Sequence, residues 1–181
     1  MSTVPRVSSG IAGQPAHLGS ALAHQPELAS NFYNLYGTFW SHGVLDHRTK
    51  EIARMRNARI TDCGFCKMVR FEGARNEGLT EAEVAQIEDG YEDSSFSAKE
   101  QAVLKLTDAI IGDPRSLSAE TQAELRSYFT PAELTELALG VGLFIGMSKV
   151  LVTLGLEPEP GTMPVTVVAT PGSAARQTAA A

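Results

Sequence analysis

The sequence predicts an all-α fold: a compact domain of about six to seven helices that builds its core, and its assembly, by helix packing. Three observations predict it. Apolar residues recur with helical period through almost all of residues 27–156. Capping boxes at Thr80, Ser97 and Thr130, each followed three residues later by Glu, mark helix starts. No alternating run reads as a strand before Val165–Ala169.

The elements follow in order. Residues 1–26 are rich in Ser, Gly, Ala and Pro and have little periodicity. They read as an N-terminal arm that packs on the body or on another subunit. A first helix spans Glu27 to Ser41, with Leu28, Phe32, Leu35, Tyr36 and Phe39 on one stripe. The aromatic run Phe32, Tyr36, Phe39 and Trp40 reads as core rather than as the wall of a pocket. A second helix opens at Asp46, a good N-cap, and carries Glu51, Ile52 and Met55. A third starts near Thr61–Asp62, carries Phe65, Met68, Val69 and Glu72, and ends at Gly78 as C′ residue.

Thr80-Glu81-Ala82-Glu83 opens a short helix with Val84 and Ile87. A loop over residues 90–96 leads to the Ser97 box and a helix with Val103, Leu106 and Ile110, stopped by Gly112-Asp113-Pro114. Ser118 caps another helix to about Tyr128. Thr130-Pro131-Ala132-Glu133 opens the longest helix, which reaches Leu154 before Gly155, with Pro at the favoured first position. Gly140, Gly142 and Gly146 weaken this helix and predict another helix passing close by. Residues 157–181 read as an extended or disordered C-terminal tail, so the helical domain is 27–156.

Composition bounds the function. With 181 residues the chain makes one domain and can bury a core without disulfides or a structural metal. Fifteen Lys and Arg against 21 Asp and Glu give a net charge of −6 with no basic cluster, which argues against nucleic acid. The first twenty residues hold one Arg and no continuous apolar stretch, so no secretory signal is read there. The longest apolar run, Leu137 to Met147, is bracketed by Glu136 and Lys149 and is too short to span a bilayer. The expectation is a cytoplasmic protein with no membrane partner.

The two cysteines, Cys63 and Cys66, are spaced C-x-x-C at the start of the expected third helix. In a reducing compartment such a pair is reactive or metal-binding more often than a permanent staple. Backbone N–H groups at a helix start stabilise an anion, and a thiolate there can fall from ~8.5 into the range of roughly 3.5–7.5. The i,i+3 spacing brings both sulfurs to one face, where one thiolate can attack and the other resolve. Two alternatives stand: a pair of buried core thiols, or a zinc site completed by His42 and His47.

Arg70, four residues after Cys66, lies one helical turn on and on the same face, where its charge would further stabilise a Cys66 thiolate. It cannot shuttle protons, because guanidinium holds its own. Its other reading is a solvated surface Arg. Glu51 lies twelve residues before Cys63 on the preceding helix and can face the pair across an antiparallel turn. As a buried carboxylate it would exchange protons near neutrality; otherwise it is a salt-bridge partner of Lys50, Arg54 or Arg70. His47, one turn before Glu51, either orients it or sits at the surface.

Taken together, Glu51, Arg54-Met55-Arg56, Cys63-Gly64-Phe65-Cys66, Gly73-Ala74 and Gly78-Leu79-Thr80 resemble the carboxymuconolactone decarboxylase superfamily, in its alkylhydroperoxidase D-like branch. The resemblance extends from about Pro26 to Pro158, including Phe96-Ser97, Glu100 and Leu134 to Leu139. It implies an all-helical fold assembled as a homotrimer or homohexamer. It implies that Cys66 attacks a hydroperoxide, that Cys63 resolves the product, and that Glu51 belongs to a proton relay. It also implies no bound cofactor or metal, with re-reduction by an external dithiol such as a lipoyl-bearing protein. One departure stands out. The branch carries His four residues after the second Cys, where this chain has Arg70. The relay is broken as usually drawn, which predicts weaker or altered peroxidase activity.

The leading expectation is therefore a thiol-dependent peroxidase or disulfide oxidoreductase acting on small hydroperoxides. A lyase or isomerase on a small carboxylated substrate, with Arg70 as carboxylate anchor, is the second. A non-catalytic oligomer whose cysteine pair reports redox state is the third.

Overall fold

The computed structural model describes residues 4–172. Among these residues are nine α-helices and two short strands. The helices are α1 (Leu18–Leu22), α2 (Pro26–His42), α3 (His47–Ile60), α4 (Gly64–Met68), α5 (Glu72–Asn76), α6 (Glu81–Val84), α7 (Ala98–Ile111), α8 (Ala119–Tyr128) and α9 (Pro131–Thr153). The strands are β1 (Val69–Phe71) and β2 (Thr166–Val168). The fold is all-α, with a minimal parallel ladder attached.

The helix starts lie where the caps predict. Asp46 accepts the Thr49 N–H at 2.6 Å, and Thr80, Ser97 and Thr130 each form a reciprocal box with the Glu three residues on. Each box satisfies two N–H groups that the helix itself leaves unpaired.

α3 sits at the centre and packs mainly on α7 and α9. Every residue from Thr49 to Ala58 is buried, including Lys50, Glu51, Arg54, Arg56 and Asn57. Such charges are tolerated inside only when paired. Lys50 reaches Glu136 of α9 at 2.8 Å, and Arg56 reaches Asp108 of α7 at 2.5 Å. Ile52, Ala53 and Met55 fill the spaces between, against Trp40, Leu104, Leu137 and Val141.

The expected third helix is broken. After one turn of α4 the chain becomes extended at Val69–Phe71 and turns helical again at α5, ending where Gly78 takes φ +87°. Val69 and Phe71 suit a strand, and β2 supplies the partner, in register Val69 with Thr166 and Phe71 with Val168.

The C-terminal segment through residue 172 runs through turns and the short strand β2 and is anchored to the body. Thr170 Oγ1 accepts the Gly73 N–H at 2.8 Å, and Ser41 Oγ donates to the Pro171 carbonyl at 2.5 Å. The rest of the expected tail, 173–181, lies outside the described residues, as do residues 1–3. The N-terminal arm packs on its own body: the Arg6 N–H bonds the Leu154 carbonyl at 2.9 Å, and Val7, Ala16 and Leu18 cover the cluster around Cys63.

Two expectations about α9 need correction. A Cβ on Gly140 would meet the Phe39 ring of α2 at 2.5 Å, so close approach explains that glycine. Gly142 and Gly146 have nothing within 4 Å of such a Cβ and need no such neighbour in this chain. The helix has the length expected, Pro131–Thr153, and its apolar reach exceeds the run Leu137–Met147. Its 23 residues include a window of mean hydropathy 1.6, long and apolar enough by length and composition to cross a membrane. The core helix of a soluble protein meets the same criterion, and α9 contributes Leu137, Val141 and Phe144 to the core.

Candidate active site

The cysteine pair sits where α3 hands over to α4. Asp62 takes φ +51°, and the turn it makes lets the Cys63 N–H bond the Ala58 carbonyl at 3.1 Å. Cys63 becomes the N-cap of α4, and its sulfur accepts the Cys66 N–H at 3.4 Å. The two sulfurs lie 2.6 Å apart, both thiols free. Cys63 is fully buried, at 0% exposure, while Cys66 is half-buried and borders a cavity.

That cavity, of about 190 Å³, is walled by Phe32, Tyr36, Phe65, Phe71, Phe144 and Leu151, with Val168 of β2 closing one side. The polar residues that line it are Cys66, Arg54, Asn57, Ser148, Tyr33 and Tyr36. The aromatic run of α2 therefore divides. Phe39 and Trp40 are core, as expected, whereas Phe32 and Tyr36 line the cavity.

Electrostatics separates the two sulfurs. The Cys63 S–H points at Cys66 and, together with burial, raises the Cys63 thiol well above its ordinary range. Cys66 is lowered to about 7 by that same hydrogen bond, against the opposing effect of burial, with help from the Ser148 hydroxyl and the Arg54 charge. Ser148 Oγ lies 3.5 Å from the Cys66 sulfur and accepts a hydrogen bond from Asn57 Nδ2 at 2.9 Å. With its oxygen taken by Asn57, the hydroxyl proton is free to point at the sulfur. Burial pushes the Tyr36 phenol up to about 12, so it keeps its proton at neutral pH.

Glu51 is 1% exposed and clamped by Arg54: Nε meets Oε2 and Nη2 meets Oε1, both at 2.7 Å. The same guanidinium donates to the carbonyls of Cys66 (2.9 Å) and Val69 (2.5 Å) and stacks over the Phe71 ring at 5.1 Å. Burial works against the Arg54 charge, and Glu51 more than offsets it, so the guanidinium is held firmly protonated. Of the partners considered for Glu51, Arg54 is the one realised. Glu51 reaches the cysteines through this arginine.

Arg70 departs from its expected place. It lies on β1, where side chains alternate, so Val69 and Phe71 line the cavity and Arg70 turns away. It pairs with Glu81 at 3.0 Å and donates to the Lys67 and Val69 carbonyls at 2.7 and 2.9 Å. The cation near the thiolate is Arg54 instead. His47 stacks on Trp40, with ring centroids 6.3 Å apart. Among the described residues no group of three or more His, Cys, Asp or Glu is arranged to hold a metal, and the zinc alternative has no cluster to use.

Sequence reasoning missed Asn57 and Ser148 altogether and gave Arg54 no role at the cysteines, naming it only in the resembling stretch and as a partner for Glu51. A polar pair 91 residues apart leaves no local signal. Ser148 does interrupt the apolar run Gly146-Met147, the kind of lone hydroxyl that a helix face facing a site would carry.

Comparison with known proteins agrees with this architecture. Residues 26–109 match the model of the carboxymuconolactone decarboxylase family. The chain is 31% identical over 114 residues to uncharacterized proteins from two strains of Mycobacterium tuberculosis, covering 63% of this chain and 40% of each of those. It thus spans about two fifths of the length of the curated relatives it matches. Among solved structures, a protein of unknown function from Agrobacterium tumefaciens has a TM-score of 0.65 at 20% identity, covering 80% of this chain and 96% of that one. An alkylhydroperoxidase AhpD core, peroxidase-related protein from Ralstonia eutropha has a TM-score of 0.68 at 17% identity, covering 82% and 80%. A cysteine-to-alanine variant of the debrominase Bmp8, in complex with 2,3,4-tribromopyrrole, has a TM-score of 0.65 at 17% identity, covering 77% and 75%. At such identities the likeness is one of fold. The match over residues 26–109 and the shared fold make the chain similar to the carboxymuconolactone decarboxylase family, with an AhpD-like all-α architecture.

Proposed function

We propose that the chain is a thiol-dependent peroxidase that reduces small hydroperoxides through Cys66 and Cys63. The observation that carries this reading is the asymmetry of the pair. The sulfur that borders the cavity is biased toward thiolate, and the sulfur 2.6 Å behind it is buried and protonated. A Cys66 thiolate attacks the outer peroxide oxygen, the O–O bond breaks, and Cys66 becomes a sulfenic acid. The departing alkoxide needs a proton, and Tyr36 and Ser148 are hydroxyl donors on the same cavity. Cys63 then displaces the sulfenic oxygen as water and forms the disulfide. An external dithiol, such as a lipoyl-bearing protein, returns the pair to its reduced state in a cytoplasmic setting.

The carboxylate-anchor reading has less support. Arg70 is turned from the cavity and Arg54 is occupied by Glu51 and two carbonyls, so neither is left to hold a substrate carboxylate. The aromatic walls favour a different second substrate, a small apolar ring such as the brominated pyrrole bound by the Bmp8 debrominase variant. For assembly we infer a homotrimer or homohexamer, supported by exposed Leu28, Tyr33 and Leu35 on α2 and Leu139 and Val150 on α9.

The test is peroxide consumption with several dithiol donors, comparing the parent with Cys63→Ser and Cys66→Ser. Turnover lost in Cys66→Ser, with one round of peroxide consumed by Cys63→Ser, supports the reading. Turnover that survives removal of both thiols refutes it.

A further inference from the structure

Disulfide formation needs a group that the mechanism above leaves unnamed. When Cys63 bonds to Cys66 it must lose its proton, and burial still favours the neutral thiol after the Cys66 thiolate has been consumed. Glu51 is poorly placed to take it, because Arg54 and the Phe71 N–H (3.3 Å) already engage its oxygens.

Glu157, just beyond the end of α9, is differently placed. It is 6% exposed. Its Oε1 accepts the N–H of Gly64, the residue after Cys63, at 2.6 Å. Its Oε2 is buried and has no hydrogen-bond partner among the described residues. A buried carboxylate oxygen without a partner costs stability, and such a group in a folded chain calls for an explanation. The neighbouring Leu156 packs in one cluster with Cys63 and Leu151, and the Glu157 charge is felt at both sulfurs. Glu157 also lines a second cavity, of about 430 Å³, which His17 and Pro5 of the N-terminal arm help to form. That cavity gives a proton on Glu157 a way out without crossing the substrate side.

We propose that Glu157 is the proton acceptor for Cys63 in the resolving step. The Cys63 S–H proton passes to Glu157 Oε2 as the Cys63 electron pair forms the S–S bond. The bond from Cys66 to its leaving group breaks at the same time. From a sulfenic acid the leaving hydroxide takes a proton from solvent and departs as water; from a mixed disulfide a thiolate departs. Glu157 then returns its proton through the second cavity. This rests on the redox-pair reading above, but it assigns a residue that the family resemblance does not supply.

The test uses the full reduced chain and one equivalent of the aromatic disulfide DTNB, followed by release of its chromophoric thiolate, TNB. The first TNB reports attack by Cys66, and the second reports resolution by Cys63. In Glu157→Gln the amide oxygen still accepts the Gly64 N–H, but the group cannot take a proton. The second phase should slow roughly a hundredfold, as loss of a positioned base does. The first phase should stay level or quicken, because a negative charge near Cys66 is gone. In Glu157→Ala, added acetate should restore the second phase in proportion to its concentration. A second phase unchanged in both variants overturns the proposal, as does equal slowing of both phases. A parent that releases one TNB and stops refutes the redox-pair reading itself.

Discussion

Ser148→Ala isolates one contact that helps to tune the reactive sulfur. Asn57 fixes the Ser148 oxygen at 2.9 Å, which leaves the hydroxyl proton for Cys66 at 3.5 Å. A hydrogen bond to a charged acceptor contributes about 1.5–3 kcal/mol, and a long bond to sulfur belongs at the low end. Since about 1.4 kcal/mol is one pKa unit, its loss should move the Cys66 midpoint from about 7 to roughly 8. The thiolate is the reactive form, so reactivity is lost as pH falls through the midpoint, and the variant loses it earlier. At pH ~6.5 the thiolate fraction drops from roughly a quarter to about 3%, an eightfold slower reaction; above pH ~9 the two chains should converge. Iodoacetamide labelling, resolved to Cys66 by mass spectrometry across the pH range, measures this. A midpoint that stays in place would show that the hydroxyl does not face the sulfur. A deficit that persists at high pH would point to lost access rather than lost ionisation.

Three further outcomes follow from the same geometry. Arg70→His should leave peroxide turnover no higher than the parent's, because position 70 faces away from Cys66, and urea melts should show a loss of about 1–3 kcal/mol from the missing contacts to Glu81 and two carbonyls. Glu51→Gln leaves the Arg54 charge buried without its counterion, so stability in the same melts should fall by about 3–5 kcal/mol, while the less neutralised Arg54 pulls the Cys66 midpoint lower still. Gly140→Ala forces a Cβ onto the Phe39 ring and should cost about 1–3 kcal/mol, whereas Gly142→Ala meets open space and should gain about 0.5–1 kcal/mol of helix stability; thermal melts of the pair decide it.

Legibility in the sequence followed the range of the interaction. The caps at Asp46, Thr80, Ser97, Ser118 and Thr130 are written within four residues, and each opens a helix in the structure. The closeness of Cys63 and Cys66 is likewise local. Arg70 shows the opposite case. Its expected position depended on helix continuing through Val69–Phe71, and a strand nearly a hundred residues later decided otherwise. The same distance hid Asn57 with Ser148, and Glu157 with Gly64. α3 is deceptive for another reason. Nothing local in a segment as charged as Lys50 to Arg56 shows that it lies at the centre; its partners Glu136 and Asp108, on other helices, let it do so.

The placement of charge around the pair has a chemical logic that the absent imidazole does not disturb. A relay through one group must both activate the attacking sulfur and accept the resolving proton. Here the duties fall on opposite sides of the cysteines. Arg54, Ser148 and the Cys63 S–H favour an anion on the cavity side, and none of them takes up a proton at neutral pH. The carboxylate of Glu157 stands behind, beside the residue that must give a proton up, and its negative charge opposes the thiolate. Moving that charge closer to Cys66 would raise the attacking thiol, and moving it away would strand the resolving one. Its distance from the two sulfurs is therefore a compromise, and Glu157→Asp, which draws the carboxylate back by one methylene, should quicken attack while slowing resolution.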